Sequence, residues 1–149
     1  MKSLDFDTQV KLAAYRHFAE TGRRPSPEAI SGRVGSDVAT VLEAYGRLRA
    51  KRMLVLEDDG ESIRMASPFS GVATQHVVVV DGRQYFANCA WDALGIIAAL
   101  QKPGEVHSRC EQSGEPFHLH VGLDGPELSG WLFHSLVPAA KWWDDIIFT

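Results

Sequence analysis

Near the start of the chain, apolar positions recur every three or four residues. Val10, Ala13, Ala14 and Phe18 follow Asp5 and Asp7 at that spacing and stop before Thr21-Gly22, which predicts a first helix. Ser26, with Pro27 and Glu28 behind it, is a helix start: the hydroxyl is free to cap, and proline stands where no amide hydrogen is needed. The stretch from Gly32 to Gly35 ends this short second helix. Ser36-Asp37 opens a third, in which Val38, Val41, Leu42, Tyr45 and Leu48 form one apolar stripe while Arg47, Arg49, Lys51 and Arg52 gather near the negative end of the helix dipole. Met53 to Leu56 and Ser62 to Met65 then flank the turn-rich Glu57-Asp58-Asp59-Gly60-Glu61, predicting a hairpin. Three helices followed by a hairpin is the order of a winged helix.

The period changes further on. Pro68-Phe69-Ser70-Gly71 reads as a connection too short and apolar to be a free linker, so the two halves, residues 1–67 and 68–149, are expected to pack together. Gln75 to Val80, the turn dipeptide Asp81-Gly82, and Arg83 to Ala87 form a second predicted hairpin. From Cys89 to Leu100 the apolar residues fit a mostly buried helix, with Asn88 as its N-cap and Lys102-Pro103-Gly104 as its stop. The expected fold class is α+β: a winged-helix-like helical subdomain against a small antiparallel sheet with its own helix.

Composition adds limits. A chain of 149 residues, 45% hydrophobic, can bury a sizeable core without staples. Its longest apolar runs, Val77 to Val80 and Ala93 to Leu100, fall far short of the about 20 residues a membrane span needs. Two cysteines, Cys89 and Cys110, are too few for a disulfide scaffold, and no signal peptide precedes them, so a reducing, cytoplasmic setting is expected. Charge divides unevenly: residues 1–67 carry eleven Lys/Arg against ten Asp/Glu, and residues 68–149 carry four against nine. A nucleic-acid module shows a basic excess, and four acids at the wing tip would meet phosphate with the wrong sign, although Arg23, Arg24 and Arg33 around the second helix could contact a DNA backbone.

The chemistry concentrates at Asn88-Cys89-Ala90-Trp91-Asp92-Ala93-Leu94-Gly95, where a strand gives way to a helix. A thiol in a helix's first turn meets the positive end of the dipole and unpaired amides, which is expected to lower its pKa and favour thiolate. Asp92 lies one turn on, near enough to share a ligand, and partial burial beside Trp91 or a neighbouring thiolate would raise its pKa so that it could donate a proton. On spacing alone, Cys89 reads first as an ordinary buried thiol and Asp92 as a carboxylate complementing the helix start.

The segment Tyr85-Phe86-Ala87-Asn88-Cys89-Ala90-Trp91-Asp92-Ala93-Leu94 resembles the signature of the organomercurial (alkylmercury) lyases. His107-Ser108-Arg109-Cys110-Glu111-Gln112-Ser113-Gly114-Glu115-Pro116 is similar to that family's next cysteine-bearing segment. The family also has an N-terminal winged-helix-like domain that does not bind DNA. The resemblance implies protonolysis of a carbon–mercury bond, in which thiolates bind mercury and an acid protonates the departing carbanion. It matches Cys89 to the first catalytic cysteine, Asp92 to the catalytic aspartate that also helps hold the ion, and Cys110 to a buried structural cysteine. It implies no resident cofactor, a small organometallic substrate, mercuric ion as bound product, and a thiol or a mercuric reductase as acceptor of the metal. The family's second catalytic cysteine follows a segment resembling Ser135 to Pro138 and Trp142 to Phe148, and no cysteine follows Cys110 here. The expectation is therefore a continuation past Thr149 that supplies the thiol, or a site in which Cys89 works without it.

Other donors are present. Cys110 could approach Cys89 as a further metal ligand; His107, His118, His120 and His134 offer nitrogen, and His118-x-His120 would point both rings to one face of a strand. The Cys110 to Gly114 segment reads as well as a turn, and a zinc ribbon would need another paired knuckle. Trp131, Trp142 and Trp143 are expected in the core or as an apolar pocket wall. Two further functions stay open: a non-catalytic binder of a soft metal such as mercury or copper, and a winged-helix DNA-binding regulator.

Overall fold

The structure, a computed structural model, describes residues 3–147. Three helices come first: α1 (Phe6–Thr21), α2 (Pro27–Val34) and α3 (Val38–Ala50). Each starts on an oxygen cap, with Asp5, Ser26 and Asp37 accepting from the amides of Thr8, Ala29 and Thr40. Gly22 and Gly35 close α1 and α2 in the left-handed conformation that glycine adopts without strain. Their buried faces, including Val10, Phe18, Ile30, Val41, Tyr45 and Leu48, meet in one cluster.

A small antiparallel sheet follows, ordered β1 (Val55–Leu56), β2 (Ile63–Ala66) and β3 (Phe69–Ser70). The segment expected to be a plain connection is thus a strand. Phe69 pairs with Ala66 on one side and bridges to Ala87 on the other, so it ties the small sheet to the second half. Phe69 also stacks on Phe18 at 5.3 Å between ring centroids, and the period-two reading missed it because only two residues pair.

The second sheet has the order β5 (Arg83–Phe86), β4 (Val77–Val80), β6 (Gly104–Arg109), β7 (Pro116–Gly122), β8 (Gly125–Pro126), antiparallel throughout. Asp81 and Gly82 both take positive φ, the geometry of a tight two-residue hairpin turn. Helix α4 (Ala90–Leu100) runs from the end of β5 and buries Ala93, Ile96 and Ile97 in the cluster that also holds Val78, Val80 and Val106. The fold is α+β, and the halves share that core. Tyr85 donates its hydroxyl to the Ala19 carbonyl, and a Cβ at Gly22 would lie 2.2 Å from the Gln84 carbonyl oxygen, so α1 abuts β5 directly.

After β8 the chain loses regular pairing until a 3-10 helix, Ala139–Asp144. Trp142 and Trp143 lie in this helix, and Phe148 and Thr149 lie outside the described residues. The tryptophans are not core. Trp131 packs on Phe117 and stays partly exposed, while Trp142 donates its indole N–H to the Val137 carbonyl at 2.7 Å. None of the described helices is long and apolar enough to cross a membrane.

Candidate functional site

The β5-to-α4 junction sets the site. The cap of α4 is Cys89, one residue later than expected, in extended backbone at φ −153° with its sulfur accepting from the Asp92 amide at 3.4 Å. Asn88 is diverted from capping because it has closer work. Its side-chain amide donates to the carbonyl of Phe69 at 3.2 Å and to Asp92 Oδ2 at 3.0 Å, with a longer contact to the Pro68 carbonyl. Asn88 therefore links the small sheet to the Asp92 carboxylate. Its own Oδ1 is buried with no protein partner. On the far side of the helix turn, Gly95 lets Pro68 approach: a Cβ there would meet Pro68 Cβ at 3.2 Å.

Both reactive side chains are half-buried, and burial decides their protonation. Desolvation pushes the Cys89 thiol up; the amides of Asp92 and Trp91 pull it down by less, and the Asp92 and Glu111 charges add to the rise. The expected thiolate is thus disfavoured, because a charged sulfur at a sheltered helix start loses more in leaving water than the helix dipole returns. Burial likewise raises the Asp92 carboxyl, against the hydrogen bond from Asn88 and the charge of His76. Trp91 gives little of that shelter, being 55% exposed with its ring against Phe133. Tyr15 is a nearer wall: its phenol, pushed up by its own burial and by the Asp92 charge, donates to the Ser67 carbonyl at 2.8 Å.

One group at the site escaped the sequence reading. His76 is 4% exposed, its Nδ1 hydrogen-bonded to Ser108 Oγ and its Nε2 2.9 Å from Glu111 Oε1. The signal available was a histidine inside the predicted Gln75 to Val80 strand, easily taken for an ordinary strand residue. His76 acts on Asp92 and Glu111 on Cys89 through their charges, so this pair stands within electrostatic reach of the thiol and carboxyl.

Cys110 has a different local setting. It opens the turn between β6 and β7, where its amide donates to Glu115 and its carbonyl accepts from Gly114, and bonds from the Ser113 hydroxyl and amide lower its thiol pKa. It is only partly buried, against the buried structural role expected of it, and both cysteines are free thiols. Among the described residues, Cys89, Asp92 and Cys110 do not gather as a three-donor metal cluster; the group that does is Glu105, His118 and His120. His118 and His120 do share one strand face, as their spacing predicted, and His134 is exposed in the irregular stretch after β8.

The arrangement offers one sheltered thiol for a soft electrophile and, one turn away, a carboxyl inclined to keep its proton. Against known proteins, residues 69–148, which contain Cys89, Asp92 and Cys110, match the family model described as MerB: Alkylmercury lyase. The alkylmercury lyase of Pseudomonas putida is 35% identical over 103 residues, 67% of this chain and 45% of that protein. That of Bacillus cereus is 38% identical over 53 residues, 36% of this chain and 24% of that protein. The chain thus spans less than half the length of these curated relatives. The crystal structure of the mercury-bound form of MerB2 shares the fold at a TM-score of 0.64 and 24% identity, covering 82% of this chain and 60% of that one.

Proposed function

The chain belongs to the alkylmercury lyase family, and from that premise we propose that Cys89 and Asp92 cleave a carbon–mercury bond by protonolysis. The observation that carries the reading is the junction itself: a half-buried thiol and a half-buried carboxyl on one helical turn, the carboxyl raised by burial and fixed by Asn88. An organomercurial cation binds the Cys89 sulfur as the thiol releases its proton, and the soft sulfur suits the soft metal. Asp92 then gives its proton to the metal-bound carbon; the electron pair of the carbon–mercury bond becomes the new carbon–hydrogen bond. Hydrocarbon leaves, and mercuric ion remains on the Cys89 thiolate and the Asp92 carboxylate.

A small thiol from solution carries the ion away, directly or to a mercuric reductase. Work through reduced thiols fits a reducing, cytoplasmic setting and a detoxifying role. The regulator reading has no observation in its favour: Arg33 pairs with Glu20, Arg24 lies 3.5 Å from Glu57, and Arg23 covers the Phe86 ring. These basic groups are turned to the molecule's own surface.

The test is to incubate reduced protein with an organomercurial and excess small thiol and to follow both products. Equal amounts of hydrocarbon and inorganic mercury are expected over many turnovers. Stoichiometric mercury uptake without hydrocarbon overturns the lyase reading and makes the protein a soft-metal binder.

A further inference from the structure

Strands β6 and β7 present a second donor cluster, on the sheet face opposite the one that holds Ser108 against His76. In their antiparallel register Glu105 pairs with His120 and His107 with His118, and alternation puts all four side chains on the outer face while Val106 and Ser108 point inward and are buried. Glu105 Oε2 lies 3.4 Å from both His118 Nε2 and His107 Nε2, and Glu105 Oε1 lies 3.5 Å from His120 Nδ1. The rings of His107 and His118 stack at 4.1 Å, which holds both upright. Beside them runs a shallow groove lined by Val77, His107, Phe117 and His118, so the cluster is open to solvent.

These spacings fit a cation better than a proton. A charge-assisted imidazole–carboxylate bond closes to about 2.7–2.9 Å, shorter than all three of these separations. Ligand atoms about 2.0–2.2 Å from a tetrahedral zinc lie about 3.4 Å apart from each other, and one donor atom from each of Glu105, His118 and His120 falls within 4.8 Å of the others. We propose that Glu105, His118 and His120 form a surface site for a borderline divalent cation, zinc in the first place, with His107 holding Glu105 in position. Nitrogen and carboxylate donors select such an ion, whereas the Cys89 sulfur across the sheet selects a soft one. With three protein ligands, at least one position stays open to water. The site stands whether or not the carbon–mercury reading holds, because it uses none of the same residues.

Tag-free protein titrated with cobalt(II), and competed with zinc, tests it. One equivalent of cobalt should bind with visible ligand-field bands and without thiolate-to-cobalt charge transfer, and zinc should displace it. His118→Ala and His120→Ala should each weaken binding by more than the roughly 10–100-fold expected for the outer partner substitution His107→Gln. Cys89→Ser should leave the titration unchanged, and circular dichroism should show every variant folded, since all three histidines lie at the surface. Absence of uptake, charge-transfer bands from sulfur, or wild-type affinity in His118→Ala and His120→Ala overturns the assignment.

Discussion

At the starts of α1 and α3, Asp5 and Asp37 accept backbone amides at 3.0 and 2.7 Å in full solvent, and those bonds lower both carboxyls. At the start of α4, sulfur replaces oxygen as the cap, its contact to the amide is 3.4 Å, and the carboxyl one turn on, Asp92, is raised. All three starts offer the same free amides and the same dipole, worth about 0.3–1 kcal/mol where exposed. The difference is shelter. In solvent, the amides win and the acid is a stable anion that pins a helix. Under Pro68, Tyr15 and the small sheet, desolvation wins and both Cys89 and Asp92 lean towards their protonated forms. One helix start is built for folding and the other keeps a proton in reserve.

The sharpest way to break that contrast is to exchange the reactive atoms of α4. Cys89→Ser should reduce hydrocarbon release to background, since a hydroxyl does not hold mercury; retained turnover would place the mercury on another group. Asp92→Asn should lower single-turnover release by about 10²–10⁴-fold while mercury still binds the sulfur. It should also stabilise the protein at neutral pH. A raised carboxyl means that the folded state holds its proton over the window between the ordinary unfolded value and the folded one, so its contribution to stability falls as pH rises through that window. Denaturation of wild type and Asp92→Asn should therefore converge on acidification below the window. A variant less stable than wild type at pH 7 would sink the burial account.

Asn88 is the next lever. Asn88→Ala removes the donor shared by Phe69 and Asp92, at a cost of about 1–3 kcal/mol in denaturant melts. Because the Asn88 bond lowers the Asp92 carboxyl, its loss should raise that group further and move the alkaline edge of the pH–rate profile upward. An edge that stays put would make Asn88 a structural link alone.

The helical half was legible because its signals are local. Ser26, Ser36-Asp37, Thr21-Gly22 and the Gly32 to Gly35 stretch announce helix ends within one turn of chain, and the structure caps its helices at Ser26, Asp37, Gly22 and Gly35. Legibility fails where a residue's role is set by distant partners. Asn88 looks like a cap until Phe69 stands beside it, and Phe69 looks like a linker until Ala87 pairs with it. The thiol and carboxyl are singled out by the family resemblance of their segment, but the direction of the Cys89 shift is not legible, because the dipole is visible in sequence and burial is not. His76 precedes β4, Ser108 lies on β6 and Glu111 in the turn after it, so no window of sequence shows them together.

The smallest expected effect tests the comparison most directly, because it separates capping from chemistry. Asp37→Ala should cost about 1 kcal/mol in chemical denaturation, as oxygen caps do, with mercury release unchanged. Asp37 is lowered in the folded state, so its contribution is present above its unfolded pKa and is lost as pH falls through the folded one; wild type and variant should converge in acid. Cys89→Ser should go the other way. A hydroxyl is the stronger cap, so the inactive variant should gain roughly 0.5–1 kcal/mol over wild type, read by the same denaturant midpoint. If Cys89→Ser is instead destabilised by as much as Asp37→Ala, the thiol is itself a structural element of α4, and the idea that this start gives up cap strength for a reactive sulfur fails.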